Sequence, residues 1–188
     1  VLGQVKGYDE HLSRHPMDRE WPTAEAQFPD GVRLEQGQTL RTRAFLKIQE
    51  GCNAFCTYCI IPYGRGPARS QKPDQVIEQI AGLVRDGARE VILTGTNLGE
   101  YAAEWTEHSA APRGAELARL CSRILSETPL ERLRLGSLDP TEIPDSLLDL
   151  VEASHGRLCP HFHVSLQSPL TRILRGMKRK YTAVEVER

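Results

Sequence analysis

The chain has 188 residues, 39% of them hydrophobic and 26% charged, with a formal net charge of −1. That length carries one domain with a sizeable core, and the composition excludes a disordered or fibrous chain. Near-neutral charge leaves any nucleic-acid contact to local patches, and no apolar run reaches the roughly 18–20 residues that span a bilayer.

Residues 1–40 read as a linker: Pro16, Pro22, Pro29, Gly31 and Gly37 interrupt them, and no apolar period is sustained. With Val1 in the first position, the chain is expected to be a piece of something longer. Ala44 to Gln49 form a strand candidate, followed by a cysteine-bearing loop that continues through Pro62, Gly64, Gly66 and Pro67. Pro73 is a favoured first-turn residue, and Val76, Ile77, Ile80, Leu83 and Val84 recur at helical spacing up to Gly87. A short strand at Val91–Thr94 comes next, then a helix with Leu117, Leu120, Cys121, Ile124 and Leu125 on one stripe. A strand over 132–138, a helix over 144–153, a strand over 161–167 and a last helix from Pro169 complete the pattern. Four βα units in succession imply a parallel sheet with right-handed crossovers. They are too few to close an eight-stranded barrel, so an open, partial (β/α) barrel, incomplete at its C-terminal side, is expected.

Three of the five cysteines, Cys52, Cys56 and Cys59, lie within eight residues of one another. Clustered thiols without a secretion signal point to a reducing compartment and a metal, hence a cytoplasmic setting. Each thiolate can take one iron of a [4Fe–4S] cube, and with no fourth cysteine in the run one iron keeps an open position. The competing assignment is structural zinc, completed by Cys159 or a histidine. Zinc sites usually pair one CxxC with another or with HxxxH, and no second pair exists here. Cys121 on its apolar stripe and Cys159 before a strand read as packing residues.

The C-x3-C-x2-C loop with Tyr58 before its last cysteine resembles the signature of the radical S-adenosylmethionine (SAM) superfamily. The flanks Lys47-Ile48-Gln49-Glu50-Gly51 and Ile60-Ile61-Pro62-Tyr63-Gly64-Arg65-Gly66 resemble those of the methylthiotransferases. So do the segments from Leu93 to Tyr101 and from Cys159 to Ser168. The likeness runs from about Arg41 to Tyr181. Within the family it is nearest to the branch that modifies N6-threonylcarbamoyladenosine at tRNA position 37 (MtaB-like). The isopentenyladenosine and ribosomal-protein branches are the alternatives.

The resemblance implies roles. Cys52, Cys56 and Cys59 would hold the cluster, whose open iron would take the amino and carboxylate groups of SAM. One electron, from a separate donor, would then cleave SAM to a 5′-deoxyadenosyl radical. Tyr58 would lie against the adenine. Thr94, Gly95 and Asn97 belong to the turn that meets the amino group of SAM, Gly95 by letting backbone approach closely. The family's further domains, one carrying three more cysteines for a second cluster and one binding RNA, have no counterpart in the sequence. The chain alone is therefore expected to bind one cluster and not to complete sulfur insertion.

Other residues admit a functional and a plainer assignment. His161, His163, Ser165 and Gln167 share one face of their strand, and His163 and Gln167 would face SAM if that face lines the barrel interior. A solvated strand face is the alternative. Three basic groups (Arg41, Arg43 and Lys47; Arg65 and Arg69; Arg175, Lys178, Arg179 and Lys180) suit tRNA phosphates or solvated ends. A metal-stabilised RNA-binding module without catalysis is the reading from another class. Two positions depart from the family: Pro169-Leu170-Thr171 follows Ser168, and Gly136 stands where serine is common.

Overall fold

Burial alternates along the first strand even though its three central residues are all apolar. Residues 42–105 and 111–187 are described by the structure, a computed structural model; the expected linker over 1–40 and Arg41 lie outside them. Strand β1 (Arg43–Lys47) buries Ala44 and Leu46 and leaves Arg43, Phe45 and Lys47 exposed, as the two-residue period of a strand requires. Helix α1 (Ile61–Arg65) is a short turn inside the cysteine segment, flanked by β2 (Gln49–Glu50) and β3 (Arg69–Ser70), which pair antiparallel. Helix α2 (Pro73–Arg85) starts on Pro73, carries Asp74 in its first turn and Arg85 in its last, and buries Val76 and Ile80. Gly87, at φ +102°, turns the chain into β4 (Glu90–Thr94).

Helix α3 (Ala115–Glu127) buries Leu117, Leu120, Cys121 and Ile124. Strand β5 (Arg132–Leu135), strand β6 (Ser137–Leu138), helix α4 (Asp145–Ala153), strand β7 (His163–Val164), helix α5 (Thr171–Gly176) and helix α6 (Ala183–Glu187) follow. Strands β1, β4 and β5 run parallel, with Arg43 beside Glu90 beside Arg132, and Phe45 beside Ile92 beside Arg134. A parallel bridge from Leu133 to Leu158 and the parallel pair β6–β7 add the fourth chain segment. The expected α/β order of parallel units is present, as an open part of a (β/α) barrel.

Two strands differ from expectation. The strand expected over 132–138 changes partner at Gly136, whose N–H donates to Leu93 O at 3.0 Å before Ser137 and Leu138 turn to β7. A Cβ at Gly136 would stand 3.1 Å from that same oxygen, tighter than ordinary contact. The strand expected over 161–167 shortens to two residues. Among the described residues it has a neighbour on one side only, and Gln167 leaves extended geometry at φ +64°.

The core lies between the sheet and helices α2, α3 and α4, around Val91, Leu93, Leu133, Ile80, Ile124 and Leu147, all fully buried. Each such side chain contributes about 1.5–3 kcal/mol of burial free energy. Among the described residues no helix covers the opposite face of the sheet, where Phe45 is 70% exposed. On that face the Glu90 carboxylate gathers Arg43 at 3.1 Å, Arg134 at 3.1 Å and Arg132 at 3.9 Å. Covering of both faces, expected for a barrel strand, is thus met among the described residues on the helical side.

Candidate iron–sulfur and SAM site

The cysteine loop leaves the sheet at the carboxyl end of β1. Gly51, at φ +76°, makes the exit: a Cβ there would stand 1.9 Å from Pro67 O, so only glycine fits. Cys52 N–H donates to Gly66 O at 3.0 Å, and Cys59 N–H donates to Cys56 O at 3.0 Å, closing a turn around the last two thiols. Asn53 ties the loop further, its N–H donating to the Glu100 carboxylate at 2.9 Å and its Oδ1 accepting from Ala68 N–H at 3.0 Å.

All five cysteines are free. Cys56 is buried, whereas Cys52 and Cys59 are partly open to the surface. Cys121 is sealed in the core under α3. Cys159 N–H donates to Leu133 O at 2.8 Å, which places it toward the amino end of β5, away from the loop at the carboxyl end.

Three thiols on one short loop are a donor set that suits an iron–sulfur cluster, in which each thiolate meets a different iron. Among the described residues no three His, Cys, Asp or Glu side chains converge on a single metal ion. The sulfurs also receive donors that such a cluster uses: Ala54 N–H reaches Cys52 Sγ at 3.4 Å, and Arg179 Nη1 reaches Cys56 Sγ at 3.3 Å. Burial, with the Glu100 carboxylate beside it, pushes the Cys52 thiol up to about 12. A metal that binds there displaces that proton.

Beside the loop is a cavity of about 420 Å³ lined by Lys47, Glu50, Arg65, Thr94, Gly95 and Thr96. Two residues that sequence reasoning assigned no role shape its surroundings: Glu50 lines it, and Gln49 packs behind Gly95. Gln49, fully buried, donates through Nε2 to Glu50 O at 3.1 Å and Gly51 O at 2.8 Å, and accepts at Oε1 from Asn97 N–H at 2.9 Å. Glu50 accepts from Arg65 at 3.0 Å, Lys47 at 3.1 Å, Thr96 Oγ1 at 3.1 Å and Gly51 N–H at 3.2 Å. Burial disfavours its charge, but the Arg65 and Lys47 cations and the two other donors outweigh that and hold its carboxyl at about 2. Their position between an apolar strand and the first cysteine was the available signal.

The other expected site residues fall as follows. Thr94 and Gly95 line the cavity. Gly95 leaves room for the Gln49 side chain, whose Cβ would be 2.9 Å from a Cβ at position 95. Asn97 is buried and donates through Nδ2 to Glu142 Oε1 at 2.9 Å, so its amide serves the protein interior. Tyr58 is 54% exposed beside the cysteines. His163 is exposed and shares a hydrogen bond of 3.0 Å with Ser137 Oγ, and Gln167 is exposed three residues past β7. The basic groups are mostly engaged: Arg43 with Glu90, Lys47 and Arg65 with Glu50, Arg69 with Pro67 O and Arg65 O. Arg175 and Lys178 are exposed, whereas Arg179 turns inward. Among the described residues no helix is long and apolar enough to cross a membrane.

Comparison with known proteins agrees with this geometry. Residues 46–188 match the family described as the Radical SAM superfamily. The chain is 42% identical over 145 residues to a threonylcarbamoyladenosine tRNA methylthiotransferase MtaB of Aquifex aeolicus, covering 77% of this chain and 33% of that protein. It is 38% identical over 152 residues to a tRNA-2-methylthio-N(6)-dimethylallyladenosine synthase of Lawsonia intracellularis, covering 81% of this chain and 33% of that one. The chain therefore spans about a third of the length of the curated relatives it matches. In fold it is similar to the radical SAM methyltransferase TsrM of Kitasatospora setae, with a TM-score of 0.59 at 19% identity over 77% of this chain and 27% of that one. A matching family profile over three-quarters of the chain, a parallel open sheet and a three-cysteine loop at its carboxyl end lead to one conclusion: the chain belongs to the radical SAM superfamily.

Proposed function

We propose that this chain is the radical SAM core of a cytoplasmic tRNA methylthiotransferase that converts N6-threonylcarbamoyladenosine at tRNA position 37 to its 2-methylthio derivative. The observation that carries the reading is the loop Cys52–Cys59 at the carboxyl end of β1, beside the Glu50 cavity, in a chain 42% identical to a relative of that name.

Cys52, Cys56 and Cys59 would hold a [4Fe–4S] cluster, three thiolates leaving room for SAM. When bound, cluster and SAM supply the one-electron chemistry that opens an aromatic C–H bond. The protein's part is position and exclusion of water. Thr94 and Gly95 offer backbone to the polar end of SAM, with Lys47 and Arg65 on the same cavity wall. Asn97 fixes that turn through Glu142 and Gln49. The exposed Tyr58 ring is available to the adenine, and His163 and Gln167 stand at the same end of the sheet. A one-electron donor and tRNA are the partners, and the transferred sulfur comes from outside these residues.

Anaerobic reconstitution with iron and sulfide tests the reading. The reduced protein is expected to give the EPR signal of a [4Fe–4S] cluster and to release 5′-deoxyadenosine from SAM. Uptake of about one zinc and no iron, or a loaded protein that binds RNA but leaves SAM intact, overturns it. A second reading, the dimethylallyladenosine branch, is favoured by the 38% identity to the Lawsonia protein. Mass spectrometry of tRNA nucleosides from cells lacking the gene separates the two by which 2-methylthio nucleoside disappears.

A further inference from the structure

The basic run at the C-terminal side divides in two. Arg175 and Lys178 are exposed, but the Arg179 side chain is 7% exposed. The cause is local. Helix α5 ends, Lys178 takes φ +54°, and Arg179 N–H closes back on Leu174 O at 2.9 Å. This left-handed helix end reverses the chain and aims the next side chain inward.

Arg179 then engages four of its five N–H donors. Nη1 donates to Cys56 Sγ at 3.3 Å, Nη2 to the Asp139 carboxylate and to Ser165 O at 3.3 Å, and Nε to Tyr181 Oη at 3.2 Å. The Tyr181 hydroxyl is itself fixed against Ser165 O at 2.8 Å and Leu166 O at 2.9 Å. Neighbouring groups reinforce the clamp: Thr57 N–H donates to Met177 O at 3.2 Å, Thr57 Oγ1 to Gly176 O at 3.1 Å, and Lys180 Nζ to Asn53 O at 3.2 Å. The run that suggested phosphate contact thus grips the cysteine loop.

We propose that Arg179 is a positioning residue for the iron–sulfur group of this loop: its guanidinium holds the Cys56 sulfur against the end of β7 and favours the reduced, more negative form of the bound cluster. The inference rests on the assignment of a cluster to Cys52, Cys56 and Cys59. A cluster's potential follows the hydrogen bonds to its sulfurs and the charge around them. A buried cation 3.3 Å from a ligand sulfur is poorly screened, and its partners keep it from swinging away when the charge changes. Asp139 offsets part of that effect, which makes it a second handle on the same quantity.

The test is the midpoint potential of the chain reconstituted anaerobically with iron and sulfide, followed by EPR during titration with dithionite and mediators. Arg179→Gln is expected to lower the one-electron reduction constant about tenfold, or about 59 mV toward negative potential. Arg179→Lys keeps the charge and is expected to lie nearer the wild type than Arg179→Gln. Asp139→Asn, which retains Arg179, is expected to move the midpoint the other way, about threefold in the constant. An Arg179→Gln protein with wild-type iron content and an unmoved midpoint overturns the inference, as does a reversed order of the two Arg179 variants. If Arg179→Gln does not fold, Asp139→Asn decides: a midpoint unmoved or lower overturns it. A wild-type chain that takes up no iron removes the cluster assignment and this inference together, whereas a loaded wild type with unresponsive variants removes this inference alone.

Discussion

Gln49 Oε1 accepts the Asn97 N–H at 2.9 Å while its Nε2 donates to Gly51 O at 2.8 Å. One buried amide therefore joins the exit of the cysteine loop to the turn after β4. Gln49→Ala leaves a buried N–H and carbonyl groups without partners and opens a small void. The expected cost is about 2–4 kcal/mol, read as a lower urea midpoint with an unchanged m-value. Equal midpoints for variant and wild type would exclude this role.

Gly51→Ala tests the loop exit. Its φ of +76° and the 1.9 Å approach to Pro67 O leave no place for a methyl group. The loop must shift, so cluster loading is expected to fall several-fold, measured as iron per chain after reconstitution. Gly87→Ala is the control: it also has positive φ, at +102°, but nothing lies within 4 Å of its added Cβ. It is expected to cost about 1 kcal/mol of stability and to load iron normally.

Glu50 predicts a pH dependence. Its carboxyl lies at about 2 in the folded chain, against 4.5 for the ordinary group. A lowered folded value means that its stabilisation is complete above about pH 4.5 and is lost as pH falls toward 2. With Lys47 and Arg65 about half exposed, screening reduces the effect to about 2 kcal/mol. Glu50→Gln is expected to lose that amount at pH 7 and to flatten stability between pH 4.5 and 2. Denaturant titrations across that range check both; a variant with the same slope as wild type refutes the assignment.

The cysteines sort by place. Cys52→Ser, Cys56→Ser and Cys59→Ser are each expected to abolish stable cluster loading, read as iron per chain after reconstitution. Cys159→Ser, beside Leu133, and Cys121→Ala, in the core, are expected to load iron like the wild type. Cys121→Ala is expected to lower stability by about 1–2 kcal/mol through lost packing. Dependence of loading on Cys159 would revive a four-thiol site.

The order of elements was legible because short apolar runs alternate with helical periods. Phe45, Leu46 and Ile48 fall in one short apolar run, and Val76 and Ile80 recur one turn apart, so strand and helix were distinguishable without tertiary information. The cysteine loop was legible because its three thiols are adjacent in sequence. What stayed hidden depends on residues far apart in the chain. Gly136 stands where β5 gives way to β6, its missing Cβ leaving room beside the Leu93 O that its N–H bonds, and that partner stands far back in the chain. Arg179 looked like one of several cations suited to phosphate or solvent; its partner sulfur is 123 residues away. Gly95 looked permissive toward a ligand, yet the side chain filling the space beside it is Gln49. Charge and glycine content announce a possibility, and packing decides its use.

The grip of Arg179 on Cys56 also sets an order of events during synthesis. The loop is made 123 residues before the side chain that completes it. At roughly 5–20 residues per second, a ribosome needs about 6–25 s to cover that distance. During that interval the nascent loop has neither Arg179 nor Lys180 against it, so metal delivered to the growing chain meets a looser thiol set than metal delivered to the finished one. The three thiols therefore reach their final setting only after translation has passed the segment that reaches back.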